Sequence, residues 1–356
     1  MKKWIFLVLV GCLVSACSKK EQAEFDPGDV DPNHLHSTMK QITDIIVHDI
    51  FSPPVASRIY AYSSIAGYEA AVPGNSEFVS LEGQLNGLEN IPKPEADKKY
   101  CFELSSVHAM SVVGKALIFS EAEMEKFHQE TLTKFKNSGM PEEMYANSIA
   151  FGDAIAQHIL AWANMDNYKQ TRTFEKYAVP QNEPAKWKPT PPAYMEGIEP
   201  HWTKLRTFVL DSSTQFIPEP PTAFSTEKKS KFYQEAIEVY DAVNDSTSEN
   251  KEIAFFWDCN PFVMNVRGHI MFATKKISPG GHWINITRLA CKGTEKDFFS
   301  TTEAYVRVSI ALADGFISCW DEKYRSKLVR PETYINQYVD ENWLPTLQTP
   351  PFPEHT

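Results

Sequence analysis

Trp320-Asp-Glu-Lys-Tyr-Arg-Ser-Lys-Leu-Val-Arg-Pro331 ends a long predicted helix, which begins at the capping sequence Ser300-Thr-Thr-Glu303. Lys323 and Arg330 are two helical turns apart, so both would project from nearly one face of a continuing helix. Pro331 disfavours helical backbone at Arg330, so the second cation is expected where the helix gives way to a turn. A movable ammonium and a forked guanidinium that converge suit a tetrahedral oxyanion, although such a pair usually forms a solvated helix end.

Upstream of this segment, helical spacing of apolar residues dominates the chain and period-two alternation is almost absent. Ser37 is a plausible N-cap for the first helix, and Ser120 begins a capping box before another. The predicted helical ranges are 37–50, 55–71, 101–119, 121–138, 141–167, 225–244, 249–259 and 300–329. The sequence therefore predicts an all-α fold, a helical bundle with long irregular connections.

Two connections are long. Residues 77–97 lack helical periodicity, and the later stretch 180–202 interleaves prolines with Trp187, Tyr194 and Trp202. So many aromatic residues are unusual in a flexible linker, so we expect an ordered aromatic-proline loop on the surface or over a site. Packing of this loop against the bundle is the default interpretation.

Composition excludes several classes of protein. The chain has 356 residues, of which 42% are hydrophobic, and a formal net charge of −11. It can therefore bury a large core, which excludes disorder for most of its length. The acidic balance and the lack of a basic stripe argue against nucleic acid as a partner.

The first residues are typical of an export signal. Met1-Lys-Lys3 precedes an apolar run over residues 4–14, and Ser15-Ala-Cys17 follows in a pattern that resembles the bacterial lipobox. We therefore expect a lipoprotein signal peptide over 1–16, a lipidated Cys17 with a flexible tether over 17–36, and a helical domain over 37–356. The protein would then be exported and held at a membrane of the cell envelope or periplasm through its lipid.

Cysteines and histidines give weaker signals. Cys101, Cys259, Cys291 and Cys319 show no metal or redox spacing, so disulfides and buried free thiols both stay open. His34 and His36 would lie in the tether, and the histidines on predicted helices have no partner at metal-ligand spacing, so no metal site is expected. His282, after Gly280-Gly281, could sit at a helix N-terminus and assist an anion site, although local hydrogen bonding is the commoner state of such a residue.

Lys323, six intervening residues and Arg330-Pro331 match the first motif of the vanadium-dependent haloperoxidase and type 2 phosphatidic acid phosphatase superfamily. Further segments strengthen the likeness, which runs from about residue 37 to the end: residues 52–60, Phe256-Trp-Asp-Cys-Asn-Pro261, Gly280-Gly-His-Trp283 and residues 313–320. The chain resembles the bacterial secreted haloperoxidase-like branch. The resemblance implies a mostly helical bundle in which Lys323 and Arg330 hold vanadate or phosphate.

The same resemblance exposes two missing motifs. Pro-Ser-Gly-His should follow a segment like Pro350-Pro-Phe-Pro-Glu-His-Thr356, and a later Ser-Arg with Gly-x-His should carry the nucleophile or vanadium ligand. His355 is not a substitute, since the expected histidine would lie beyond Thr356. Because this chemistry needs an acid–base group and a nucleophile or ligand, we expect a truncated, inactive chain with no catalytic residue of its own.

Two functions follow as hypotheses. The first is a vanadate- or phosphate-binding lipoprotein whose complete form oxidises halide with peroxide or hydrolyses phosphate esters. The alternative is a non-enzymatic helical periplasmic binding lipoprotein that offers its aromatic-proline loop to a sugar or peptide. The sequence leaves the oligomeric state open.

Overall fold

The computed structural model describes residues 25–180, 182–245, 247–267 and 270–353. It confirms the all-α fold. Eleven α-helices and one β-hairpin lie within these ranges: α1 Asn33–His48, α2 Pro53–Ala71, α3 Phe102–Ala116, α4 Glu121–Lys136, α5 Glu142–Ala163, α6 Tyr168–Thr171, α7 Lys231–Asn244, α8 Ser248–Phe256, β1 Met264–Arg267, β2 Ile270–Ala273, α9 Pro279–Gly293, α10 Phe298–Ser326 and α11 Pro331–Tyr338. Single turns of 3-10 helix occur at Pro27–Asp29, Val72–Gly74 and Trp202–Lys204.

Helix α2 is the centre of the bundle. All of its residues are buried, because α3, α5, α9 and α10 pack around it. Its small residues permit this close packing: a Cβ on Gly67 would lie 2.9 Å from the Met110 side chain of α3. Ser52 caps the helix, its hydroxyl accepting from Val55 N, and Pro53 and Pro54 occupy the first turn, where no donor is needed.

The two charged residues of α2 fix its neighbours. Arg58 Nε lies 2.6 Å from Asp166 Oδ2 in the interior. Glu69 accepts from Ser80 Oγ and from the backbone N–H of Leu81, each at 2.7 Å. Burial raises the pKa of the Glu69 carboxyl, and the hydrogen bonds from Leu81 and Ser80 oppose that rise. Glu69 thereby holds the start of the irregular 77–97 connection against the bundle.

The N-terminal boundary differs from the prediction. Residues 33–36, expected in the flexible tether, form the first turn of α1, so Ser37 is not its N-cap. Leu35 and His36 are buried, and His36 Nδ1 lies 2.8 Å from Tyr305 Oη of α10. The gain from burying these side chains outweighs the polar composition of the segment. The predicted signal peptide and Cys17 lie outside the described residues.

Caps and short elements account for the other differences. Asp297, not Ser300, caps α10, its carboxylate accepting from Ser300 N at 2.7 Å. Ser120 makes no side-chain cap; its hydroxyl donates to Asp49 instead. Helices α6, α9 and α11 and the antiparallel hairpin β1–β2 lie outside the predicted helical ranges.

Cys101, Cys259, Cys291 and Cys319 are all free thiols. Among the described helices, none has the length and apolar character needed to span a membrane.

Candidate anion site

Lys323 lies in the last turn of α10 and is buried, with 7% of its surface exposed. The helix ends three residues later because Lys327 adopts the left-handed conformation. The Lys323 ammonium donates to the carbonyl oxygen of Pro353 at 3.1 Å and lies 4.9 Å from the centre of the Phe352 ring. The first predicted cation therefore points toward the C-terminal segment 350–353.

Arg330 reaches the same segment from the other side of the chain turn. Its backbone is extended, as expected before Pro331, and it stands at the N-terminus of α11. Its Nη2 donates to the carbonyl oxygens of Pro350 at 3.0 Å and Phe352 at 2.6 Å. The guanidinium carbon lies 5.9 Å from the Phe352 ring centre, and 2% of the residue is exposed. The two cations thus converge on Phe352, and their role in holding an anion remains a prediction.

The aromatic-proline loop supports this turn. Trp187 N donates to Lys327 O at 2.8 Å, and Val329 N donates to Ala185 O at 2.9 Å, so the loop pairs with the chain between the two cations. Trp187 and Trp202 are fully buried, and Ile198 N donates to Pro351 O at 2.9 Å. The loop packs against the bundle and does not offer these two indole rings to a sugar.

Buried acceptors fix the other side of the segment. Glu332 in α11 accepts from Thr349 Oγ1 at 2.6 Å, and Thr349 Oγ1 lies 2.6 Å from Thr190 Oγ1. Burial raises the pKa of the Glu332 carboxyl, and the positive charge of Arg330 opposes that rise. These contacts hold Thr349 in place, and with it the start of the segment 350–353 that the two cations contact. Glu332, Thr349 and Phe352 carry no signal in the sequence, because their partners are distant along the chain.

The donor set fits an oxyanion. Ammonium and guanidinium groups supply only N–H donors and positive charge, and here both are aimed at oxygen acceptors in a site with little solvent. Charge-assisted hydrogen bonds of this kind are strengthened where water is excluded. Lys323 and Arg330 are therefore suited to holding the oxygens of vanadate or phosphate.

His282 occupies a separate position. It lies in the first turns of α9, which Ser278 caps, and its Nδ1 is 3.4 Å from the Cys259 thiol. Its ring stacks on Trp257 with centres 5.0 Å apart. Asn260, the residue after Cys259, donates from its side-chain amide to Gln348 O at 3.1 Å. A supporting role for His282 in anion binding stays a prediction.

Other expected features lie apart from this turn. His355 is outside the described residues. Within the described part of the chain, no group of three or more His, Cys, Asp or Glu side chains is arranged to hold a metal ion. His108 and His128, predicted on separate helices, meet in the interior between α3 and α4, a pairing that only tertiary structure produces.

An apolar groove of about 990 Å³ runs along α10 between the 77–85 and 207–218 connections. Phe78, Val306 and Phe216 are among its lining residues. Glu322 borders it, but Lys323 and Arg330 do not line it. The groove is therefore distinct from the turn that holds the two cations.

Comparisons with known proteins identify the family. No family model matches the chain, and no curated protein sequence matches it. Among solved structures, a bacterial vanadium-dependent iodoperoxidase is 48% identical, with a TM-score of 0.87, and the match covers 94% of this chain and 78% of that one.

Apo and holo structures of a bacterial vanadium-dependent chloroperoxidase share the fold at 14% and 15% identity, with TM-scores of 0.58 and 0.59. These matches cover 85% and 88% of this chain and 73% and 71% of those chains. At 48% identity over most of both chains, the likeness to the iodoperoxidase reaches beyond shared topology, and the chain belongs to the vanadium-dependent haloperoxidase family.

Proposed function

We propose that Lys323 and Arg330 bind vanadate in this protein and that the site serves the oxidation of a halide by hydrogen peroxide. The supporting observation is the convergence of these two buried cations on the segment 350–353 around Phe352. The 48% identical relative is an iodoperoxidase, so iodide is the first halide to test.

The two residues have different tasks in this proposal. Arg330 fixes the orientation of the oxyanion through its planar fork of donors, and Lys323 adds a charge that follows the anion's oxygens. Bound vanadate would supply the activation of hydrogen peroxide toward halide. Phosphate has the same shape and charge type, so phosphate-ester hydrolysis is the comparison reaction, and the relatedness to a haloperoxidase favours vanadate.

Turnover needs more than these two residues. The histidine motifs that the family resemblance implies do not occur in residues 1–356. We therefore propose anion binding, rather than the whole of turnover, as the part of the reaction that Lys323 and Arg330 carry. An assay of iodide oxidation with vanadate and hydrogen peroxide, and of phosphate-ester hydrolysis, on the parent chain, Lys323→Ala and Arg330→Ala tests this statement. Vanadate-dependent activity that both variants keep unchanged would contradict it.

Vanadate binding is tested by titration calorimetry on the full chain, Lys323→Ala and Arg330→Ala. Each variant should bind vanadate at least about tenfold more weakly, because a buried charge-assisted contact is lost. Arg307→Ala is the matched control, since it removes one positive charge from the exposed face of α10. Equal affinity in all four proteins would refute the assignment.

We further propose that the protein is an exported lipoprotein anchored through Cys17, which rests on the sequence pattern of residues 1–17. Cells given a radiolabelled fatty acid should label the full chain and not Cys17→Ala. Equal labelling of both would reject the anchor.

A further inference from the structure

Exposed apolar side chains are concentrated in one part of the sequence. Ten of the twenty large apolar side chains that are exposed among the described residues lie between Ile253 and Leu289. Large contiguous apolar surfaces on a folded protein mark interaction sites. Six of these side chains form what we call the aromatic patch: Phe256, Trp257, Ile270, Met271, Phe272 and Trp283.

The helical part of the patch lies where α8 meets α9. Phe256 and Trp257 end α8 with ring centres 5.3 Å apart, and both rings contact His282 of α9. Trp283, the next residue, is 50% exposed, and Phe256 is 66% exposed. Two indoles and a phenyl ring therefore face solvent where α8 meets the N-terminal turn of α9.

The hairpin carries the other three side chains of the patch. Its base is fixed, because the Gln348 side chain exchanges two hydrogen bonds with the Met264 backbone and Lys276 pairs with Asp258 beside Trp257. Ile270, Met271 and Phe272 are all exposed, although successive strand residues point to opposite faces. The described residues therefore leave both faces of the outer part of β2 uncovered.

The charge of this region is opposite to that of the whole chain. Residues 248–292 contain six Lys or Arg and three Asp or Glu, whereas the chain has a net charge of −11. Lys251 in α8 and Lys275, two residues after β2, are exposed. Exposed lysines in the same part of the chain as exposed tryptophan and phenylalanine suit an interface in which apolar rings enter acyl chains and ammonium groups meet anionic headgroups.

We propose that the aromatic patch docks on the surface of a lipid bilayer that carries anionic phospholipid. A bilayer surface can surround both faces of a projecting hairpin, whereas a flat protein surface covers one. A chain tethered to the membrane at Cys17 would meet this surface at high effective concentration. Weak binding by a shallow contact would then be enough to keep the patch on the bilayer. The proposal is independent of anion binding at Lys323 and Arg330.

Tryptophan fluorescence tests the proposal on the full chain. Vesicles of equal parts phosphatidylcholine and phosphatidylglycerol, with brominated acyl chains, should quench Trp257 and Trp283. Five other tryptophans are buried: Trp162, Trp187, Trp202, Trp320 and Trp343. Trp4 lies in the predicted signal peptide. The double variant Trp257→Phe/Trp283→Phe removes the two reporting indoles and keeps any fluorescence of Trp4, so the difference between the two proteins belongs to Trp257 and Trp283. Quenching that persists unchanged in the double variant would overturn the proposal.

Matched variants separate the patch from other apolar surface. Phe256→Ser should shift the lipid concentration for half-maximal quenching upward by about tenfold. Phe216→Ser removes an equally exposed phenylalanine, 66% in each case, from the 207–218 connection and should leave quenching unchanged. Unfolding curves of both variants check that the fold is kept.

Charge and self-association complete the test. Lys251→Glu/Lys275→Glu should weaken binding to vesicles with phosphatidylglycerol and leave binding to pure phosphatidylcholine nearly unchanged. Sedimentation of the full chain over a range of concentrations measures dimerisation. Dimers that Phe256→Ser abolishes, without lipid quenching in the parent chain, would assign the patch to a second copy and overturn the bilayer proposal.

Discussion

His108 Nδ1 and His128 Nε2 lie 2.9 Å apart in the interior, and His108 Nε2 lies 2.9 Å from the Asp153 carboxylate. Three helices, α3, α4 and α5, contribute one group each, and both imidazoles are buried. Gly152 permits the approach of α5, since a Cβ there would lie 3.0 Å from the His108 ring. Only one proton can lie between the two facing nitrogens. The arrangement therefore disfavours a state in which both imidazoles are positively charged.

We expect the free energy of unfolding to fall as the pH falls from about 6.5 toward 4. The pKa of His128 is lowered to about 4 by burial, then by the charge of His108 and by Lys115, against the opposing effects of Glu125 and Asp153. The unfolded chain therefore binds more protons than the folded chain in this window, and stability present above pH 6.5 is lost. The contribution of His128 to this loss should be on the order of 3 kcal/mol.

Urea unfolding at several pH values measures this slope. The pKa of His36 is also lowered to about 4, chiefly by burial, so it contributes a similar slope. His128→Gln should therefore reduce the slope, and His36→Gln should reduce it by a similar amount. An unchanged slope in His128→Gln would contradict the prediction.

Arg58→Met should cost about 3–5 kcal/mol of stability, because it leaves the Asp166 carboxylate buried without its cation. Asp166 also accepts from Tyr62 Oη and the Tyr168 backbone, so its position holds α6 against α2. The double variant Arg58→Met/Asp166→Asn removes both charges and should recover part of the loss. Chemical denaturation gives both values, and a neutral Arg58→Met would show that the pair is unimportant.

Gly152→Ala and Gly315→Ala should change stability in opposite directions. A Cβ on Gly152 would lie 2.8 Å from the Ser105 carbonyl oxygen, so α5 would have to move and stability should drop by about 1–3 kcal/mol. Gly315 is exposed in the middle of α10, and a Cβ there would meet none of the described atoms within 4 Å, so alanine should add about 0.5–1 kcal/mol. Thermal unfolding of the two variants measures both changes in stability. Changes of the same sign in both variants would be inconsistent with this packing.

Arg330→Lys should weaken vanadate binding by about tenfold although the charge is kept, because lysine lacks the planar fork. Arg325→Lys, on the more exposed side of the same turn where Arg325 pairs with Asp321, is the control and should bind as the parent does. Titration with vanadate compares the three proteins. Parental affinity in Arg330→Lys would mean that charge alone holds the anion.

The helices were largely predictable, and their ends were less so. Apolar spacing located α1 to α5, α7, α8 and α10 because most of them bury one stripe or more against their neighbours. The start of α1 was misplaced because the burial of Leu35 and His36 is a tertiary gain that polar neighbours conceal. The hairpin was not predicted because exposed apolar side chains follow one another along β2, so the strand does not alternate.

The sequence by itself determined that two cations stand on either side of a helix end, since the interval from Lys323 to Arg330 and the effect of Pro331 on backbone are local properties. Only the tertiary structure decided which groups Lys323 and Arg330 contact. Phe352, Glu332 and Thr349 reach that turn through contacts with the aromatic-proline loop and α11, and the pairing of His108 with His128 depends on how α3 and α4 pack. Side-chain burial and long-range hydrogen bonds depend on where distant segments meet, which no local pattern encodes.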